Sequence, residues 1–434
     1  MFAIQSRRVV FDDRIEPAVI RVDDERIIEI ASYPQPGVLD VGDAAIMPGL
    51  VDPHVHLNQP GRTDWEGMQS GTAAAAAGGI TALCDMPLNS SPVTTNPSAL
   101  LAKHQASVGI LHMDVGFHGG LVPGNVDQME ALIDAGVLGI KVFLCHSGID
   151  DFPNTTQREL RLAMPILARR GIPLLAHAEI SHPVEAMRNP RRYADYLASR
   201  PPSFEREAIA MMIELAAEYR CHVHIVHLAD AGSIPMLTKA RQNGIPITVE
   251  TCPHYLVFES EQIPDGATAF KCAPPIRDAK NREGLWQALA DGVIDLIASD
   301  HSPCPPEMKS LDEGRFDRAW GGISSLQVGV SAIWTEASAR GFSLVDLARW
   351  MSHAPARLLG LDRGIAVGKS ADLFVFNDNE SWTIRGDKLL HRHKTTPYDG
   401  RNVRGRVVQT YVRGQPTGLA QGQIISRRAL GPNP

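Results

Sequence analysis

The chain has 434 residues and no C-x-x-C pair among its six cysteines, which stand at 84, 145, 221, 252, 272 and 304. Thiols scattered in this way argue against a disulfide framework or a zinc ribbon, and they suit a reducing, cytoplasmic setting. A basic excess is lacking too. Lys and Arg number 42 against 49 Asp and Glu, a formal charge of −7. Binding a phosphate backbone needs a concentrated basic surface, so no nucleic-acid partner is expected. Long apolar runs are missing as well. The longest uncharged stretch, residues 67–84, is mostly Ala, Gly, Thr, Gln and Ser. That is too polar for a bilayer span of about 20 apolar residues, so no membrane partner is expected. The first residues, MFAIQSRRVVFDD, hold no apolar signal core.

What is present is ordinary globular material. Hydrophobic residues make up 44% and charged residues 21%, enough to bury a sizeable core. The length fits two or three domains, or one α/β barrel with an appendage.

The middle of the chain alternates short apolar runs with longer helical stretches. The runs are Leu50–Leu57, Ile80–Met86, His112–His118, Gly139–Leu144, Ile172–His177, Val223–Leu228, Ile245–Thr251 and Ile294–Ser299. Helices are expected over Val126–Ala135, Thr156–Arg170, Arg206–Tyr219, Ser233–Asn243 and Asn281–Gly292. The Ala73–Ala77 run reads as helical. Eight strands each followed by a helix is the arithmetic of a (β/α)8 barrel. Both ends read differently, as short strands between turns: Val9-Val10-Phe11, Ala18–Val22, Arg26–Ile30, Leu373–Phe376 and the run VRGRVVQTYVRGQP. The division predicted is a barrel over 49–355 and a small β domain built from 1–48 and 356–434.

Polar residues at the ends of the apolar runs carry the chemistry. His54 and His56 stand two apart, so in a strand both imidazoles face one side. A bare H-x-H is usually chance spacing, but this one ends the first expected barrel strand. Lys141 lies inside the apolar run Gly139–Phe143, where an unpaired ammonium is costly unless its stem reaches water. His177, His227 and Asp300 end three other runs, whereas His224 is one residue out of phase. Four His, one Lys and one Asp thus gather at C-terminal strand ends, where barrel active sites sit. Imidazoles with a carboxylate suit zinc or a similar first-row ion.

At these residues the chain resembles the cyclic amidohydrolases of the amidohydrolase superfamily, which include dihydroorotases, hydantoinases and allantoinases. The resemblance runs from Pro48 to about Gly414. It implies a TIM-like barrel with a β-sandwich domain and a site for two divalent metals. Zinc is the default, and cobalt, manganese or iron suit the same ligands. His54, His56, Lys141 and Asp300 are implied to hold one ion, and Lys141, His177 and His227 the other, with Lys141 carboxylated by CO2 as the anionic bridge. Asp300 is implied to shuttle the proton of an activated water to the leaving nitrogen. A catalytically silent relative would be expected to lose ligands, and all six positions are filled.

Within that family the motifs resemble the allantoinase branch. They are Asp85-Met86-Pro87-Leu88-Asn89, Lys271-Cys272-Ala273-Pro274-Pro275, Ser299-Asp300-His301-Ser302 through Pro305-Pro306-Glu307-Met308-Lys309, and Ala319-Trp320-Gly321-Gly322. Dihydroorotases place an arginine for the substrate carboxylate where Asn58 stands here, which favours a neutral cyclic amide. The branch implies allantoin as the small-molecule substrate, with hydantoinase or dihydropyrimidinase activity as the alternative, and a homo-oligomer, tetramer or dimer. Asn89, Cys272 and Gly322 are the expected substrate contacts, Cys272 through its backbone. The stretch Ser302–Gly322 is expected to wall or cover the pocket. Arg62 and Trp65 are expected to order the first loop, His301 to hold the geometry beside Asp300, His254 to play a supporting role, and His146 to be a loop residue near the pocket. Asp23-Asp24-Glu25-Arg26 stands where a Gly-containing turn is usual, which leaves the pairing of the third strand open.

Overall fold

The computed structural model of the chain describes residues 2–426. Eight apolar runs become the eight strands of a parallel barrel. Leu50–Val55, Ile80–Asp85 and Asp114–Phe117 pair in that order. After His118 the pairing resumes with Gly119–Gly120, then Ile140–Phe143, Leu174–His177, Val223–Ile225, Ile247–Thr251 and Leu296–Ile297. The barrel closes where the eighth strand meets the first. There His56 N–H donates to the His301 carbonyl (2.8 Å), and Val55 and His301 form a parallel bridge. Nearly every strand residue is buried, because helices cover the outer face. This is why the strands read as continuous apolar runs.

The five expected helices form, over Met129–Asp134, Gln157–Arg170, Pro202–Tyr219, Ile234–Gln242 and Ala279–Ala290. Their ends follow local chemistry. Thr156 and Glu159 make a reciprocal capping box, and Gly171 ends the same helix in the left-handed region. The Ala run lies in the helix Met68–Ala77. A further helix, Pro97–Ser107, was not marked in the sequence, because its apolar periodicity is weak.

The two ends of the chain build one eight-stranded sheet. Its main path runs from Gln415–Pro416 through Asn402–Val412, Leu373–Thr383, Ala45–Pro48, Phe2–Val10 and Ile15–Asp23 to Arg26–Ala31. The sheet curls on itself. Ile27 N–H donates to the Lys369 carbonyl (2.9 Å), and Gly368 N–H to the Ile27 carbonyl (2.7 Å). Ile4, Ile20, Ile27, Ile46, Leu373, Val375 and Tyr411 share the enclosed core. The turn without glycine forms all the same, with Asp24 (φ 46°) and Glu25 (φ 67°) both left-handed, and the third strand pairs Ile30 with Ile20. The segment ending at 426 returns to the barrel, where Ile425 N–H donates to the Val115 carbonyl (3.0 Å).

Candidate metal centre

The barrel's strand order brings the six singled-out residues to one mouth. His54, His56 and Asp300 offer ligand atoms all within 4.8 Å of one another. Nε2 of His54 lies 3.3 Å, and Nε2 of His56 3.5 Å, from Asp300 Oδ1. His177 and His227 form a second group, with Nδ1 of the first 2.9 Å from Nε2 of the second. The ring centroids of His54 and His227 are 5.4 Å apart, so the two groups adjoin. Lys141 is 1% exposed, and its amine has no hydrogen-bond partner. Burial lowers that amine to about 8. Crowded ring nitrogens beside a carboxylate and an orphaned buried amine are donors that a divalent ion would satisfy. The donor set therefore fits the implied metals.

Local backbone strain marks the same place. His227 (φ 40°) and Asp300 (φ 44°) both sit in the left-handed region, as do Asn58 (φ 61°) and Asn89 (φ 68°). Such conformations cost free energy and persist where the surroundings impose them, often at functional sites. Burial opposes the charge of Asp300, but His54, His56 and His227 overcome it and hold its carboxyl well below the usual carboxylate range.

Two buried acids, Glu250 and Glu179, and the half-buried Arg200 orient the candidate ligands, and sequence reasoning did not single them out. Glu250 is fully buried. One of its oxygens contacts Nδ1 of His54 and accepts from His227 N–H (3.1 Å), and the other lies 3.0 Å from Nε2 of His224. Glu179 contacts Nε2 of His177 (2.8 Å) and is clamped by Arg200. Despite burial, Arg200 and His177 pull Glu179 down to about 2. The available signals were a carboxylate inside the apolar run Ile245–Thr251, and an acid two residues after His177.

A cavity of about 590 Å³ opens over the six residues. Asn89 and Gly322 line it, and Asn89 Nδ2 lies 3.4 Å from Nδ1 of His56. Cys272 is buried behind the lining residues Lys271 and Ala273, and its carbonyl accepts from the Tyr196 hydroxyl (2.5 Å). Asn58 turns toward the Pro303 carbonyl (3.4 Å) and lies outside the lining. The stretch 302–322 forms a wall, contributing Ser302, Met308 and residues 317–322. Arg62 donates to the Asn89 carbonyl (3.0 Å) and stacks over Trp65, which meets Trp320 edge-on. His301 accepts from Ser325 N–H (3.1 Å) and faces Glu66. His254 is buried with neither ring nitrogen partnered, and burial lowers it to about 4. His146 is an exposed loop residue on the cavity rim.

Imidazoles, one carboxylate and one lysine at the C-terminal mouth of a parallel barrel define a metal-site barrel of the hydrolytic type. The chain belongs to the amidohydrolase family, whose model matches residues 45–417. The family is metal-dependent, and the His and Asp groups described here could bind such ions. The chain is similar to an allantoinase of Streptomyces avermitilis, with 46% identity covering 97% of this chain and 96% of that one. It is 47% identical to an allantoinase of Arabidopsis thaliana, over 87% of this chain and 78% of that one. Among solved structures it resembles an L-hydantoinase (dihydropyrimidinase) from Arthrobacter aurescens. That likeness has a TM-score of 0.90 and 28% identity, and covers 98% of this chain and 100% of the other. No helix among the described residues is long and apolar enough to cross a membrane.

Proposed function

We propose that the chain is a metal-dependent cyclic amidohydrolase that hydrolyses the hydantoin-ring amide of allantoin to allantoate. The observation that carries this reading is the unpartnered, buried Lys141 amine. It belongs to the same site as the His54–His56–Asp300 group and the His177–His227 pair, in a chain that aligns nearly end to end with an allantoinase. His54, His56, Lys141 and Asp300 would hold one divalent ion, and Lys141, His177 and His227 a second, zinc by default. Lys141 would serve as its CO2 adduct, a carboxylate on a long arm. Bound there, the ions supply Lewis-acid charge to the ring carbonyl and bring the pKa of water near 7.

The chain's own groups do the rest. Asp300, held ionised, takes a proton from the attacking water at its carboxylate. It returns that proton to the ring nitrogen as the C–N bond breaks. Asn89 and Gly322 line the space where the ring would lie, and Cys272 backs it. The wall 302–322 bounds one side of that space.

The likeness to an L-hydantoinase favours a second reading, a hydantoinase or dihydropyrimidinase of broader ring tolerance. The absence of an arginine at Asn58 weighs against dihydroorotate as substrate. Six free, buried cysteines support a reducing, cytoplasmic setting, and the family resemblance supports a homo-oligomer. A panel of allantoin, dihydroorotate, dihydrouracil and hydantoin tests the reading. The highest kcat/KM is expected with allantoin. A preference for any other member would replace the substrate and leave the ring-opening chemistry.

A further inference from the structure

Two lysines stand on one wall of the cavity and use their protons differently. An ammonium has three N–H donors. Lys309 spends all three on backbone carbonyls, those of Lys271 (3.4 Å), Trp320 (3.1 Å) and Gly322, and it is 5% exposed. It is a structural tie for the wall. Lys271 donates to one carbonyl, that of Ala319 (2.5 Å), its only acceptor among the described residues. Its Nζ lies 5.3 Å from the Tyr196 ring, and the residue lines the cavity. Two donors therefore remain unspent on a partly buried cation facing the substrate space. Of the other cationic side chains lining the cavity, Lys141 belongs to the candidate metal centre, Arg200 is committed to Glu179 through Nε and Nη2, and Arg318 donates to Glu313 (3.0 Å). Burial and the neighbouring Lys309 and Arg200 lower the Lys271 amine to about 8, so it still carries its charge at neutral pH.

We propose that Lys271 is a specificity-determining residue, donating to the carbonyl oxygen of the exocyclic ureido group while the ring amide lies at the metal centre. This rests on the allantoin reading. A ureido carbonyl is a strong neutral acceptor, and hydrogen bonds from a charged donor to such a group are the stronger kind. Hydantoin has the same ring without that group, so the two molecules separate ring binding from ureido binding.

The test uses metal-loaded enzyme and the Lys271→Met variant, which keeps most of the unbranched stem and removes the charged amine. KM and kcat are measured for allantoin, and Ki for hydantoin as a competitive inhibitor. KM for allantoin is expected to rise about 10- to 100-fold, the effect of losing one charged hydrogen bond. Little change is expected in kcat, and none in the hydantoin Ki. Lys271→Arg is expected to recover most of the loss. A parallel rise in the hydantoin Ki would mean that the wall has collapsed, and would overturn the assignment. An unchanged allantoin KM, or a loss confined to kcat, would overturn it as well. If the unaltered enzyme does not turn over allantoin, the functional reading itself fails and takes this assignment with it. If it does, the variant judges Lys271 alone.

Discussion

The carboxylate of Glu250 sits against Nδ1 of His54, so the opposite ring nitrogen, Nε2, is the one that faces Asp300 at 3.3 Å. A carboxylate on the far nitrogen fixes the tautomer of a metal-ligating histidine and raises its basicity. Glu250 does more than this, because it also receives the His227 backbone N–H and faces His224. One buried acid thus joins the two halves of the candidate metal centre. Glu250→Gln keeps the shape and removes the charge. It is expected to lower metal affinity about 10- to 100-fold. Elemental analysis during chelator titration measures this, starting from about two ions per chain in the unaltered protein. Unaltered retention of metal would show that Glu250 is only a packing residue.

Lys141 has to act as an anion if it is to bridge two cations. Burial lowers its amine to about 8, which raises the neutral fraction available to react with CO2. Lys141→Ala is expected to abolish activity and impair metal retention. A short carboxylic acid added to the variant should occupy the vacated space and restore part of both. Full activity of the variant without the acid would remove the carbamate from the mechanism.

Gly322 shows how tightly the cavity wall is built. Its φ of 138° is one that side chains rarely adopt, and a Cβ there would lie 2.1 Å from the Ser302 carbonyl oxygen. Gly322→Ala is therefore expected to cost about 1–3 kcal/mol of stability and to reduce kcat/KM. The neighbouring Gly321 has nothing closer than 4.0 Å to such a Cβ, so Gly321→Ala is the matched control. Calorimetry on the pair checks the difference. Equal melting temperatures would show that the wall yields.

The barrel was legible because parallel strands, covered on both sides, read as apolar runs, and the candidate ligands stood out as polar residues ending those runs. The helix Pro97–Ser107 was not, because it buries a charge: Lys103 points inward to Asp85 and the Met86 carbonyl. Glu250 and Arg200 escaped notice for a different reason. Their partners lie 196 and 21 residues away in the chain, and only the closed barrel brings them together. The lysines of the wall show the same limit. Lys271 and Lys309 each belong to a marked motif, yet the difference in how they spend their protons is set by the fold of residues 319–322.

The sheet shared by the two ends of the chain has a consequence for how the protein is made. Ala45–Pro48 pairs on one side with Leu373–Phe376, and Gly49 N–H with the Asp372 carbonyl. On the ribosome that edge has no neighbour until more than three hundred further residues are added. At roughly 5–20 residues per second this wait is on the order of 15 to 65 seconds. The barrel's first strand continues directly from that edge, so His54 and His56 are synthesised long before the strand that leads into them gains its last neighbour.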